Sequence, residues 1–103
     1  MFLTMNRFQV TRGREAAFEE VWTSRESHLR SVPGFKAFHL LRGPERADHT
    51  LYASHTTWAD RASFEAWTRS DAFRKAHSGI RPQTDLYLGP PELEVFDSIQ
   101  ELT

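Results

Sequence analysis

Three side chains in this sequence offer chemistry that their surroundings do not obviously use: Asn6, Trp67 and His77. Asn6 lies in "MFLTMNRFQV", where Phe2, Thr4, Asn6, Phe8 and Val10 alternate with Leu3, Met5, Arg7 and Gln9. That period of two marks a strand, and it sets Asn6 on the same side as two phenylalanines. An amide among aromatics is costly to bury unless its donors and acceptors are used. Either neighbouring backbone satisfies it or it is held out for a ligand. Trp67 is either a core or interface aromatic or the wall of a pocket. His77 also has two readings. It is a cation at a helix C-terminus, favourable with the last carbonyls, or a neutral imidazole offered to a metal centre from the apolar side of a helix that also carries Phe73 and Ala76.

Other chemistries find no support. The five histidines, at 28, 39, 49, 55 and 77, form neither a His-x-x-x-His nor a Glu-x-x-His pair. Cysteine is absent, which removes disulfides, thiolate metal sites and cysteine nucleophiles. No glycine-rich phosphate loop, nucleophile elbow or acidic calcium loop occurs, and Glu19-Glu20 falls where a solvated helix face is expected. With 13 basic and 14 acidic residues the formal charge is −1, so the basic stripe demanded by a phosphate backbone is missing and nucleic acid is not an expected partner. The opening residues read as a strand at once, so neither a signal peptide nor a membrane span is expected, and the cytoplasm is the expected compartment.

The elements that must position these residues follow from periodicity. At 103 residues the chain is read as one domain, 1–103, with a single modest core. After the first strand, Gly13 opens a helix in which Phe18, Val21, Trp22, Arg25 and Leu29 recur at helical steps, stopping before Pro33-Gly34. "FKAFHLLR" is a second strand, with Phe35, Ala37, His39 and Leu41 on one face and Phe38 and Leu40 on the other; "TLYASHTTW" is a third, across a turn. Asp60 is a good N-cap for a second helix carrying Phe64 and Trp67, and Ser70-Asp71 signals a fresh start. That break matters. In an unbroken helix Trp67 and His77 would face different directions roughly 15 Å apart, so only a kink lets them address one cavity. After Gly79, "IRPQTDLYLGPP" is a long loop with a brief extended piece, and "ELEVFDSI" closes the chain as a strand.

The order βαββαβ specifies an α+β, ferredoxin-like antiparallel sheet with two helices on one face. Apolar residues on both faces of the second strand predict that the other face also meets protein, and a second copy is the simplest cover.

"NRFQVTRG", "VPGFKAFHLLR" and the run from Trp58 through Trp67, Ser70-Asp71 and Phe73 to Ala76-His77 resemble the IsdG-like heme-degrading monooxygenases of the antibiotic biosynthesis monooxygenase superfamily. The likeness covers most of residues 5 to 80. It implies a dimeric α+β barrel joined through its sheets, with heme bound as both cofactor and substrate between the sheet and the kinked helix. By that resemblance His77 is the proximal ligand of the heme iron, Asn6 the distal amide donor toward dioxygen, and Trp67 the bulky residue pressing on the porphyrin. Trp22 corresponds to an aromatic near the heme, and Arg25 is either a propionate partner or a solvated helix charge. His55 is either a satisfied strand histidine or a rival ligand. The reaction implied is oxidative opening of the porphyrin with release of iron, using dioxygen and electrons from a reductase or small reductant. Two alternatives stay open: a cofactor-independent oxygenase of aromatic or quinol substrates with His77 as base, and a heme-binding protein without turnover.

Overall fold

A computed structural model describes residues 1–24, 28–71, 73–74 and 85–103. The elements are β1 (Phe2–Thr11), α1 (Glu15–Thr23), a 3-10 turn (Leu29–Ser31), β2 (Phe35–Glu45), β3 (His49–Trp58), α2 (Arg61–Thr68) and β4 (Glu92–Asp97). The strands form one antiparallel sheet in the order β2-β3-β1-β4. This is the ferredoxin-like arrangement expected from the sequence, with both helices against one face.

The two central strands carry the pattern that defines that face. In β3 every second residue, Tyr52, Ser54, Thr56 and Trp58, is buried, while Leu51, Ala53, His55 and Thr57 are half-buried. The register sets Phe2, Thr4, Asn6 and Phe8 opposite Trp58, Thr56, Ser54 and Tyr52 in turn. Directly paired residues share a face, so all eight look toward the helices. The brief extended piece expected in the long loop is Tyr87, which bridges to Val10 and brings Leu86 into the core at 1% exposure.

Two expectations need correction. The first helix does not run to Leu29. It ends at Thr23, where the Thr23 and Ser24 hydroxyls donate to the carbonyls of Glu19 and Glu20 at 2.8 and 2.6 Å. Hydroxyls that satisfy last-turn carbonyls offer the backbone an alternative to continuing the helix. Leu29 is still buried, but from the separate 3-10 turn. The second correction concerns Phe35. A bulge between Phe35 and Ala37 shifts the β2–β3 register, so Phe35 pairs with Trp58 and joins the helix-facing side, while Ala37, His39 and Leu41 keep the opposite one. Its ring meets Trp58 edge-on at 6.1 Å.

The turn before β2 is held by Gly34, whose φ of 83° and close fit leave no room for a side chain. A Cβ there would lie 2.0 Å from the Ser63 hydroxyl. The Gly34 carbonyl accepts from the Ala59 N–H at 2.8 Å, tying this turn to the start of α2.

Candidate active site: a polar floor between two aromatic walls

The helix-facing core is divided in two. At one end Phe8, Val10, Phe18, Tyr52 and Leu86 form a buried cluster against which Trp22 and Leu40 pack. At the other, Phe2, Leu29 and Trp58 form a second, joined by Phe35, Phe64 and Trp67. Between them the sheet presents Thr4 and Asn6 from β1 and Ser54 and Thr56 from β3. Small hydroxyls and one amide make up this stretch of floor.

The walls are aromatic and well braced. Trp22 meets Phe8 edge-on at 5.4 Å and stacks on Phe38 at 6.1 Å with the planes 15° apart. Trp67 packs on Trp58 at 5.6 Å and takes Phe73 edge-on at 4.8 Å. The Trp58 indole N–H in turn donates to the Thr4 hydroxyl at 3.3 Å, so the second wall is bonded to the floor. Phe8 and Thr4 each lie two residues from Asn6 on one strand face, a separation of about 7 Å. Trp22, Asn6 and Trp67 are therefore brought to one side of the sheet, with Asn6 between the two walls. Asn6 is half-buried, and among the described residues no side chain engages its amide.

Local sequence explains how the second wall is mounted. The Asp60 carboxylate accepts from the Ser63 N–H at 2.8 Å and from its hydroxyl at 2.7 Å, capping α2. These two bonds hold the Asp60 carboxyl below its ordinary pKa, the hydroxyl contributing most. The helix stops at Thr68, and the Ser70 hydroxyl donates to the Trp67 carbonyl at 2.6 Å and accepts from the Phe73 N–H at 3.1 Å. Ser70 thus closes one helical segment and opens the next, the break that the Ser-Asp pair signals. Beyond Trp67, between the 3-10 turn and α2, lies a cleft of about 450 Å³ that Val32, Ser63, Ala66 and Ser70 also line.

Three other candidates fall elsewhere. His77 and Arg25 lie outside the described residues. His55 is corrected as a rival ligand, because it pairs with Met5 and His39 on the opposite face of the sheet, its ring 6.2 Å from that of His39. No group of three or more metal-ligating side chains occurs among the described residues.

Sequence reasoning missed the polar anchors of α1. Glu19, expected on a solvated face, accepts from the Tyr52 phenol and the Arg42 guanidinium. These bonds, the phenol's first, hold its carboxyl below the ordinary range, while burial and the facing carboxylate push the Tyr52 phenol up. Glu15, one turn earlier, accepts from the Thr50 hydroxyl at 2.8 Å. The signal was present as Glu at i and i+4 on a helix and hydroxyls at i and i+2 on a strand.

A ferredoxin-like fold with a polar floor between aromatic walls on the helix-facing side of its sheet defines a class used by small oxygenases and binding proteins alike. The chain belongs to the antibiotic biosynthesis monooxygenase family, which matches residues 1–79. It is 38% identical over 64 residues to a heme-degrading monooxygenase of Shouchella clausii strain KSM-K16, a match spanning 62% of this chain and 59% of that protein. Among solved structures it resembles the heme degrader MhuD from Mycobacterium tuberculosis, seen with two hemes in its active site. The identity there is 24% and the TM-score 0.75, over the full length of both chains. It also resembles SnoaB, a cofactor-independent oxygenase from Streptomyces nogalater, at 26% identity and a TM-score of 0.68, covering 98% of this chain and 95% of that one.

Proposed function

We propose that this protein is an oxygen-dependent heme-degrading monooxygenase that binds heme over Asn6. The observation that carries the reading is the divided core: a polar floor of Thr4, Asn6, Ser54 and Thr56, bounded at one end by Trp22 and at the other by Trp67. That shape fits a planar macrocycle, since its edges would meet apolar walls while a single donor looks at its centre. Bound heme would supply the redox chemistry for the oxygen step and would itself be the substrate.

The residues of this chain do the positioning. His77, which follows the Ser70 break in sequence, would hold the iron. Asn6 would offer its amide N–H to dioxygen, orienting it without proton transfer. Trp67, backed by Trp58, would press one edge of the ring, and Trp22 would close the opposite edge. Arg25 would pair with a propionate. Electrons come from an external donor. A homodimer formed through the open sheet face completes the reading, because Leu41 and Phe96 lie on that face at 42% and 46% exposure beside Leu3 and Met5.

Likeness to SnoaB favours one alternative, oxygenation of an aromatic or quinol substrate without cofactor. Hemin titration separates these. A Soret band saturating at one hemin per chain, lost in His77→Ala, is expected. Reductant in air should then bleach it as an open-chain tetrapyrrole appears. No stoichiometric band would overturn the heme reading, and a band stable to reductant and air would reduce it to sequestration.

A further inference from the structure

We propose that Glu15 and Glu19 of α1, hooked onto Thr50 and Tyr52 of β3, form a two-rung register device that sets where Trp22 stands over the Asn6 floor. The rungs are the Thr50 hydroxyl donating to Glu15 and the Tyr52 phenol donating to Glu19. Four residues of helix rise about 6 Å, and two residues of strand span about 6.6 to 6.8 Å. The two repeats therefore match, and both bonds form only when α1 lies along β3 in one axial position. A slip of one residue moves each carboxylate 1.5 Å along the axis and turns it through about 100°, which breaks both rungs together.

Apolar packing alone does not specify this position as tightly. α1 buries one side chain fully, Phe18, and aromatic rings slide over one another at little cost compared with breaking a directed hydrogen bond. The carboxylates are also the better choice of acceptor, because charged acceptors make the stronger bonds. Each has further support that fixes its rotamer. Glu15 accepts from the Gly13 N–H at 2.8 Å, and Glu19 accepts from Arg42. Trp22 follows Glu19 by three residues, so the position of the second rung is passed directly to the indole. Through Trp22 it reaches Phe8 and Phe38, the ring contacts that bound one end of the floor.

Glu15, Glu19, Thr50 and Tyr52 are positioning residues in this account. They act on the ligand through Trp22, and the ligand part of the test rests on the heme reading given above. The first measurement needs no ligand. The near-UV circular dichroism of Trp22, taken as wild type minus Trp22→Phe, is compared with the same difference in a Tyr52→Phe background and in Thr50→Val/Tyr52→Phe. Loss of the rungs is expected to shrink the Trp22 signal to less than half, and an unchanged signal overturns the proposal. Should the double variant not fold, Tyr52→Phe alone, which retains the Thr50 rung and the ring volume, gives the reading.

Hemin titration is the second measurement. Tyr52→Phe is expected to raise the hemin dissociation constant about tenfold, equivalent to 1.4 kcal/mol. In a Trp22→Phe background the same substitution should change it little, since the path through the indole is gone. Equal effects in both backgrounds would mean that Tyr52 acts only on general stability, which overturns the proposal. If wild type binds no hemin, the heme reading fails while the dichroism still decides the register device.

Discussion

Asn6 owes its character to being the one amide on a face of rings and hydroxyls. A directed donor contributes most where charge develops during reaction and little to ground-state binding. Asn6→Ala is therefore expected to lower turnover of bound hemin about 10²-fold while its dissociation constant moves less than about threefold. Equal losses in both would assign Asn6 to binding. Gly34 makes a different demand, for backbone freedom and space together. Gly34→Ala sets a methyl group 2.0 Å from the Ser63 hydroxyl at a φ of 83°. The variant should lose about 2 to 4 kcal/mol by urea unfolding, from a left-handed alanine and an overpacked contact. Asn6 was legible in the sequence because strand alternation exposes an anomaly. The close approach of Gly34 to Ser63 was not, since "PG" reports a turn but nothing of what packs on it.

At the scale of elements, helix starts were easier to foresee than helix ends. Asp60 and Ser70 declare themselves as caps because their side chains bond within three residues. The end of α1 at Thr23 depends on hydroxyls bonding back to carbonyls, which competes with an apolar pattern that continues to Leu29. Phe35 was misassigned for a related reason: a single bulge reverses alternation, and period-two counting has no means of seeing it. The α1 anchors also carry a pH signature. The Glu15 and Glu19 carboxyls both sit below their ordinary value of 4.5. Groups lowered in the folded state contribute stability that is complete above the unfolded pKa and disappears as pH falls through the folded one. Wild type should thus lose urea stability as pH drops below about 4.5, and Glu15→Gln/Glu19→Gln should show a flatter profile over that range. Parallel profiles would show that the rungs do not distinguish the folded chain.

The whole molecule has two unlike faces. Helices cover one. The other carries exposed Leu41 and Phe96 and half-buried Leu3 and Met5, with Arg7 and Glu94 joined in an ion pair beside them. A self-neutralised pair amid apolar residues suits burial against a copy of the same surface. Sedimentation should give twice the 12.0 kDa chain mass, and Leu41→Glu should halve it at micromolar concentration. A wild-type monomer would overturn the proposed dimer. The sequence indicated both faces through β2, because Leu40 and Leu41 point opposite ways.

The divided core has a thermodynamic consequence of its own. Among the described residues, the two central strands carry hydroxyls and one amide between the two apolar clusters, where a core of this size would ordinarily place apolar side chains. A ligand bound over that floor, as proposed, would become an interior part of the fold, so that occupancy and folding would be linked through mass action. At a hundred times its dissociation constant, such a ligand would add about 2.7 kcal/mol to the folded state, a large share of what holds a chain of this length together. On the proposed reading, the free and the ligand-bound chain would be two different stability problems encoded by one sequence.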